Sequence, residues 1–193
     1  MANTASVEYY IEGDEKELEK IYNLFDGLYN GTIKARENTS PNWAGNVCFE
    51  LGDNTSNYGD MRCFIEWYEL EKGDYLHLMT NEAWGVTDFI NMLKKHFPSI
   101  IPYYFCEECG CEVYESNDFE RKYFDQDCVL DYEIDGECGT ELFMTEEDIL
   151  EYLSDTLEIK DLDIDKLDEW NKEHNDEGLY AYIYPVTRVE YSI

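Results

Sequence analysis

Basic residues are scarce in this chain of 193 residues, which has 14 Lys and Arg against 45 Asp and Glu. The formal net charge of −31 repels nucleic acids and anionic membrane surfaces, because both carry dense negative charge. The same charge attracts basic surfaces, and many of the most basic surfaces in a cell are nucleic-acid-binding sites. We therefore expect no direct binding of nucleic acid or membrane, and a basic protein surface as the partner.

Targeting and membrane signals are also missing. No apolar run approaches the length of a membrane-spanning helix, and residues 1–7 have neither the basic region nor the apolar region of a signal peptide. These absences predict a cytoplasmic protein. In that compartment the seven cysteines are expected to be reduced thiols or metal ligands rather than disulfides.

Catalytic motifs are equally hard to find. The chain has only three histidines, His77, His96 and His174, and it lacks a nucleophile elbow, a phosphate-binding loop, a dinucleotide fingerprint and a zinc-protease motif. The sequence therefore predicts a protein that is not an enzyme. The alternative is a small enzyme or ligand binder that uses a sheet face, with His77 or a perturbed carboxylate in a deep pocket.

The acidic residues that are present are unevenly distributed. Residues 1–106 hold 17 acidic and eight basic residues, whereas residues 107–177 hold 27 acidic and five basic residues. Hydrophobic residues make up 44% of the chain and aromatic residues 16%, which excludes a simple disordered acidic chain. The charge therefore belongs to a folded protein, and mostly to its second half.

Hydrophobic periodicity in residues 1–106 predicts a ferredoxin-like core. Apart from one short additional strand, the order of its elements is β-α-β-β-α-β, which forms an antiparallel sheet with helices on one face. The predicted elements are a strand at Ser6–Glu12, a helix with its apolar face at Leu18–Leu28, a short strand at Val47–Leu51, a hairpin of Arg62–Leu70 with Tyr75–Thr80, a helix from about Thr87 and a strand at Ile100–Phe105.

Residues 107–193 are predicted to form an acidic α+β extension that packs on this core, so that the chain is one compact unit. Thr145 and Asp148 have the spacing of a capping box and predict the start of one acidic helix, and a second helix is expected from about Asp163. The expected strands are Glu112–Tyr114, Val129–Ile134, Glu141–Met144 and a last one at Leu179–Ser192 that is broken at Pro185.

Two segments resemble the YubB-type ferredoxin-like family, small proteins of phages, plasmids and gut bacteria without a settled biochemical role. The segments are T-N-E-A-W-G-V-T with the closing H-F-P, and Y-Y-F-C-E-E-C-G-C-E-V-Y-E-S-N-D-F-E-R-K-Y-F. The resemblance implies a ferredoxin-like fold, a Trp at the start of a helix that covers the sheet, and an origin in a mobile element. The matching positions are Thr80, Ala83, Trp84, Phe97, Pro98, Glu107, Glu108, Gly110, Tyr114, Asn117, Asp118, Tyr123 and Phe124.

The Cys-rich turn departs from that family, whose members commonly have Pro at the position of Cys109. Cys106 and Cys109, followed by Gly110 and another cysteine, look like half of a zinc knuckle. Cys128 and Cys138 are available as the other two ligands, although they do not form a second C-x-x-C pair. The hypotheses are a structural zinc at these four cysteines, or free thiols packed as small apolar groups.

Seven acidic residues lie at helical spacing of three or four on the two predicted helices. Like charges at this spacing disfavour a helix, so stability does not explain them. They predict a partner-binding face that imitates phosphates and occupies the nucleic-acid-binding surface of a basic protein such as a host defence nuclease. These residues are Glu147, Glu151, Asp155, Glu158, Asp165, Asp168 and Glu169.

Two alternatives to this function stay open beside the ligand binder on the sheet face. One is an acidic surface that only keeps the protein soluble. The other is a zinc-stabilised adaptor in which the region from Cys106 to Cys138 docks a partner and the charge is incidental.

Overall fold

The computed structural model describes residues 3–190 of an α+β protein with antiparallel sheets and five α-helices. The chain divides into two units, which are described separately below. Unit 1 comprises residues 1–118 with 189–193, and unit 2 comprises residues 119–188. No helix within the described residues is long and apolar enough to cross a membrane.

Unit 1 is built on strands that lie in the order β2-β3-β1-β4-β5, each antiparallel to its neighbours. Its strands are β1 (Thr4–Glu12), β2 (Cys63–Glu71), β3 (Tyr75–Ala83), β4 (Ile101–Glu108) and β5 (Val113–Ser116). Its helices are α1 (Glu15–Asn30), α2 (Gly45–Glu50) and α3 (Phe89–His96). One side of this sheet shares a single hydrophobic core with the three helices.

Helix α1 shows how the local sequence sets these elements. The Asp14 side chain caps its start by accepting a hydrogen bond from the Lys16 N–H, and Gly31 ends it with a φ of 77°, which glycine adopts without strain. Leu18, Ile21 and Phe25 recur at helical spacing and are buried. They pack against the alternate residues of β1 that point to the same side.

The predicted strand at Val47–Leu51 is wrong, because residues 45–50 form α2. The Leu51 N–H donates to the Val47 carbonyl at 3.0 Å, which is helical bonding. Val47 and Cys48 are both fully buried, so this apolar run lacked the period-two alternation that would identify a half-exposed strand. Short buried runs of this kind do not distinguish a helix from a strand.

Strand β2 contains a β-bulge at Glu66. Ile65 pairs with Thr80 and Trp67 pairs with Met79, so Glu66 is the extra residue. The bulge reverses the alternation, and Tyr68 rather than Trp67 therefore packs on the core side of the sheet. Beyond the bulge, β2 is the edge of the sheet and lies beside α1.

Unit 2 contains a three-stranded sheet in the order β7-β6-β8. Its strands are β6 (Cys128–Ile134), β7 (Glu137–Phe143), β8 (Tyr180–Pro185) and the short β9 (Thr187–Arg188), and its helices are α4 (Glu146–Thr156) and α5 (Ile164–His174). Both helices bury their apolar faces in a second core cluster with β6 and β8. The predicted end of the last strand at Ser192 lies outside the described residues.

The boundary between the units falls after Asp118, whereas the sequence predicted it after Cys106. The boundary moves because β4 is longer than predicted and because β5 adds a further strand to the sheet of unit 1. Strand β4 continues to Glu108, and β5 pairs with it through Glu108 and Val113. Residues 107–118 therefore belong to the fold of unit 1.

Candidate partner-binding face on the acidic helices

Helix α4 is fixed at its start by the predicted capping box. The Thr145 hydroxyl accepts from the Asp148 N–H at 3.1 Å, and the Asp148 carboxylate accepts from the Thr145 N–H at 3.0 Å. Ile149 and Leu153 are fully buried on one side of the helix. The predicted residues Glu147, Glu151 and Asp155 are all exposed to solvent.

Glu158 does not lie on α4, which corrects the prediction. The helix ends at Thr156, and Glu158 occupies a left-handed turn with a φ of 54°. The Ile159 N–H donates to the Ser154 carbonyl at 3.1 Å, a bond that closes the helix end in the manner of a Schellman motif. Glu158 is exposed, but its side chain does not continue the stripe of Glu151 and Asp155.

Helix α5 repeats the pattern of a buried stripe and an acidic exposed side. The Asp163 side chain caps its start by accepting from the Lys166 N–H at 2.9 Å. Leu167 is buried, whereas the predicted residues are exposed. Glu173 is also exposed and lies four residues after Glu169, so it extends the stripe by a turn and was missed from the sequence. The exposed predicted residues are Asp165, Asp168 and Glu169.

Asn171 attaches α5 to the edge strand β8. Its amide Nδ2 donates to the Ala181 carbonyl at 2.9 Å, and its Oδ1 accepts from the Ala181 N–H at 2.8 Å. The side chain thereby satisfies both backbone groups of an edge residue, as another strand would. The asparagine also fixes which side of α5 remains in solvent, because it is itself buried.

Three of the six basic residues of unit 2 bind groups other than the seven predicted acids. Arg121 and Arg188 both bind Asp127, at 2.8 Å and 3.0 Å, and the hydrogen bond from Arg121 is the main reason why the pKa of its carboxyl group is lowered. The Lys166 ammonium donates to the Asp161 carbonyl. Within residues 3–190, the seven predicted acids make no ion pair, so their charge is not neutralised within unit 2.

Tyrosines supply contact area on unit 2. Tyr152 of α4 is partly exposed and packs on Phe143, with ring centroids 5.6 Å apart. On β8, the rings of Tyr180 and Tyr182 stack at 5.5 Å, and Tyr182 is 45% exposed. We define the acidic face as Tyr152 together with the exposed acids of the two helical stripes. These acids are Glu147, Glu151, Asp155, Asp165, Asp168, Glu169 and Glu173.

The four cysteines of the zinc hypothesis have different environments. Cys106 is fully buried in unit 1, where burial raises its pKa to about 12 and disfavours the thiolate that zinc requires. Cys109 and Cys138 are exposed, and Cys128 is half-buried in unit 2. Within residues 3–190, no group of three or more His, Cys, Asp or Glu side chains is placed to hold a metal ion. Zinc binding stays a prediction, with the burial of Cys106 against it.

The sheet-face alternative requires a deep pocket that holds His77 or a perturbed carboxylate. The His77 imidazole stacks on Tyr10 at 4.3 Å and contacts the Glu8 carboxylate at 2.6 Å, so it is engaged in packing. The perturbed carboxylate is Glu82, whose pKa is raised by burial. It points into the core, where it accepts from Tyr9 at 2.7 Å and from the Thr87 N–H at 2.6 Å.

No protein-family model, no curated protein and no solved structure matches this chain. The resemblance to the YubB-type family therefore stays a prediction from the residues alone. Trp84 differs from what that resemblance implies, because it lies in the loop before α3 and is 63% exposed.

Proposed function

We propose that this protein is a non-enzymatic, acidic binding protein that occupies a basic, nucleic-acid-binding surface of another protein. The carboxylates of the acidic face would take the places of backbone phosphates and exclude the nucleic acid by competition. A host defence nuclease is the proposed partner, which would make the protein an inhibitor carried by a mobile element and acting in the cytoplasm.

The observation that carries this proposal is the pairing state of the acids on α4 and α5. Six of the seven predicted residues lie on exposed helical positions, and none of the seven forms an ion pair within the described residues. Unit 2 holds 22 acidic and six basic residues, and its arginines bind Asp127 instead. Unpaired carboxylates retain their full attraction for an external cation.

We also propose that unit 1 is a ferredoxin-like scaffold. What supports this is the strand order β2-β3-β1-β4 with antiparallel neighbours, together with helices after β1 and β3. This part of the proposal is consistent with the implied YubB-type family. It assigns no chemistry to the sheet, so the function depends on unit 2.

A pull-down from the native host at two salt concentrations tests the function. The full chain is the bait, and mass spectrometry identifies what elutes between about 0.05 and about 0.5 M NaCl, a range over which screening weakens charge-driven binding steeply. A nucleic-acid-binding protein that elutes with salt is expected. The purified partner should then lose its nucleic acid when this protein is added.

A variant of the acidic face tests whether capture depends on these particular acids or on the net negative charge of the protein. Lysine substitution of four acids should abolish capture, because each removed carboxylate is replaced by a repelled cation. The matched control removes acids of unit 2 outside α4 and α5. Unchanged capture by the fourfold variant, or capture indifferent to salt, would overturn the proposal. The test residues are Glu147, Glu151, Asp165 and Asp168, and the control residues are Glu120, Asp125, Asp135 and Glu137.

A further inference from the structure

A cavity of about 640 Å³ lies in unit 1 beside α1 and the edge strand β2. Its volume is within the roughly 300–1,000 Å³ that ligand pockets occupy. Two carboxylates and several aromatic side chains contribute to its wall, and no lysine or arginine does. These lining residues are Tyr22, Phe25, Asp26, Tyr29, Glu66, Trp67 and Tyr68.

The β-bulge at Glu66 is what assembles the aromatic wall. By reversing the alternation of β2, it turns Tyr68 towards α1. The Tyr68 ring then meets Tyr22 and Phe25 edge to face, with both pairs of centroids 5.6 Å apart. Aromatic rings in this arrangement hold one another in place, so the wall is preorganised before a ligand arrives.

The cavity has a negative electrostatic character. Burial is the main reason why the pKa of Tyr68 rises to about 12, and the Asp26 carboxylate is the next cause. Tyr68 is therefore a neutral phenol at physiological pH. Asp26 lies close enough for its negative charge to disfavour ionisation of the Tyr68 hydroxyl. The Asp26 carboxylate accepts from the neutral amide of Asn30 at 2.9 Å and has no cationic partner among the residues that line the cavity.

We propose that this cavity binds an alkylated ammonium group, independently of the acidic face. The faces of the Tyr22, Tyr29 and Tyr68 rings attract a cation through their quadrupoles, and a methylated ammonium also has an apolar surface that suits an aromatic wall. Asp26 supplies the countercharge, and Glu66 is a second acidic residue among those that line the cavity. Tyr29 is 77% exposed and therefore available to close over the ligand. The ammonium group comes either from a small molecule or from a methylated lysine side chain.

Calorimetric titration of the full chain with choline tests the proposal. The control ligand is 3,3-dimethylbutan-1-ol, which has the same shape but carbon in place of the charged nitrogen. Both are added up to about 50 mM at constant ionic strength, because a ligand of millimolar affinity saturates at that concentration. Choline should bind and the neutral alcohol should not. Equal binding of the two, or no binding of choline, would overturn the proposal.

Two variants locate the binding to this cavity. Asp26→Asn removes a countercharge and should weaken choline binding roughly tenfold, and Tyr29→Ala removes an exposed ring and should weaken it about threefold. Glu71→Gln is the matched control, because Glu71 is exposed on β2 but does not line the cavity. Circular dichroism confirms that each variant is folded. Choline binding that is the same in all four proteins would place the site elsewhere and refute the assignment.

A second titration distinguishes the two sources of the ammonium group. A short peptide with one trimethyllysine is compared with the same peptide carrying unmodified lysine, and with free choline. Tighter binding of the methylated peptide than of choline assigns the site to a protein side chain. Equal binding of both assigns it to a small molecule. A preference for unmodified lysine would contradict the proposal, since that ammonium is strongly hydrated and lacks methyl groups.

Discussion

Glu82 is a carboxyl group that unit 1 has taken completely out of water. Its Oε1 accepts from the hydroxyls of Tyr9 and Thr80 at 2.7 and 2.8 Å, and its Oε2 accepts from the Thr87 N–H and hydroxyl at 2.6 and 2.5 Å. Both oxygens are therefore satisfied, as a buried carboxyl requires. The network links β1, β3 and the loop before α3. It gives a structural role to Thr80 of the motif T-N-E-A-W-G-V-T.

Replacement of Glu82 by Gln should lower the free energy of unfolding by about 1–3 kcal/mol, because the amide keeps one acceptor oxygen where the carboxyl group has two. The penalty should depend on pH. Burial raises the folded pKa of Glu82, so the folded state holds the proton more tightly than the unfolded chain does. Its contribution is largest below the unfolded value of about 4.3 and falls as the pH rises through the folded pKa.

Urea unfolding of both proteins across this pH range measures that difference, and the remaining carboxyl groups cancel between them. A difference that grows with pH would contradict the assignment of a raised pKa to Glu82.

Asp53 is predicted to titrate in the opposite sense. Its Oδ2 accepts from Lys95 at 2.5 Å, from Tyr58 at 2.7 Å and contacts His96 at 3.1 Å. The bond to Lys95 is the main reason why the pKa of Asp53 is lowered, followed by those to Tyr58 and the Asn54 N–H. A lowered folded pKa stabilises the fold above the unfolded value of about 3.9, and this stabilisation is lost as the pH falls below it.

Asp53→Asn should therefore lower the melting temperature at pH 7 and have little effect at pH values well below about 3.9. Thermal unfolding at both pH values checks the prediction, with Asp60→Asn as the control for a nearby aspartate that is exposed and not bonded to Lys95. An equal loss at both pH values would show that the Asp53 charge does not stabilise unit 1.

At the scale of elements, the capping box of α4 is the clearest local signal in unit 2. Thr145→Ala removes the oxygen that accepts from the Asp148 N–H and should cost about 1 kcal/mol of stability. Thr187→Ala is the control, because Thr187 is exposed and caps no helix. Loss of helical circular dichroism at lower urea concentration in the Thr145 variant checks the effect. Equal unfolding of both variants would mean that tertiary packing alone holds α4.

Elements with strong periodicity or caps could be predicted from the sequence, and the others could not. The apolar stripe from Leu18 to Leu28 and the cap at Thr145 each specify their helix locally. Residues 47–51 carry no such signal, so only tertiary burial decides that they are helical. The spacing of Glu158 fits a continuation of α4, but the helix ends two residues earlier, at Thr156, and Glu158 itself adopts the left-handed conformation.

The acidic face and the cavity of unit 1 also differ in how far the sequence predicts them. The acidic residues of α4 and α5 could be found from spacing, since each exposed stripe is local to one helix. The cavity beside Tyr68 could not, because it requires α1 to lie against β2. Its one sequence signal is the run F-I-E-W-Y-E-L, in which the alternation changes phase at Glu66. A phase change of this kind indicates a bulge but does not indicate what the turned side chain will meet.

At the scale of the whole molecule, charge density rather than total charge distinguishes the two units. Unit 2 has a formal charge of −16 on 70 residues, whereas unit 1 has −15 on 123 residues. The boundary after Asp118 moves five acids into unit 1, so the contrast in total charge seen in the sequence disappears. The contrast per residue is about twofold and remains.

The high charge density of unit 2 should lower its stability measurably. Neutralising Glu151, Asp155 and Glu169 together removes like-charge pairs at spacings of four, each of which destabilises a helix by about 0.2–0.5 kcal/mol. The triple variant should therefore be more stable than the parent by about 1 kcal/mol at low ionic strength, and the gain should shrink in about 0.5 M NaCl.

The matched control neutralises three exposed acids of unit 2 that lie outside α4 and α5, namely Glu120, Asp125 and Glu137. Urea unfolding at both salt concentrations measures stability, and solubility at matched concentration measures the colloidal effect. If the acids of the helices only keep the protein soluble, both triple variants should lose solubility alike and the helix variant should still bind the partner. If they form a binding surface, the helix variant alone should lose the partner. Its gain in stability is expected under both hypotheses, because the repulsion on α4 and α5 does not depend on a partner.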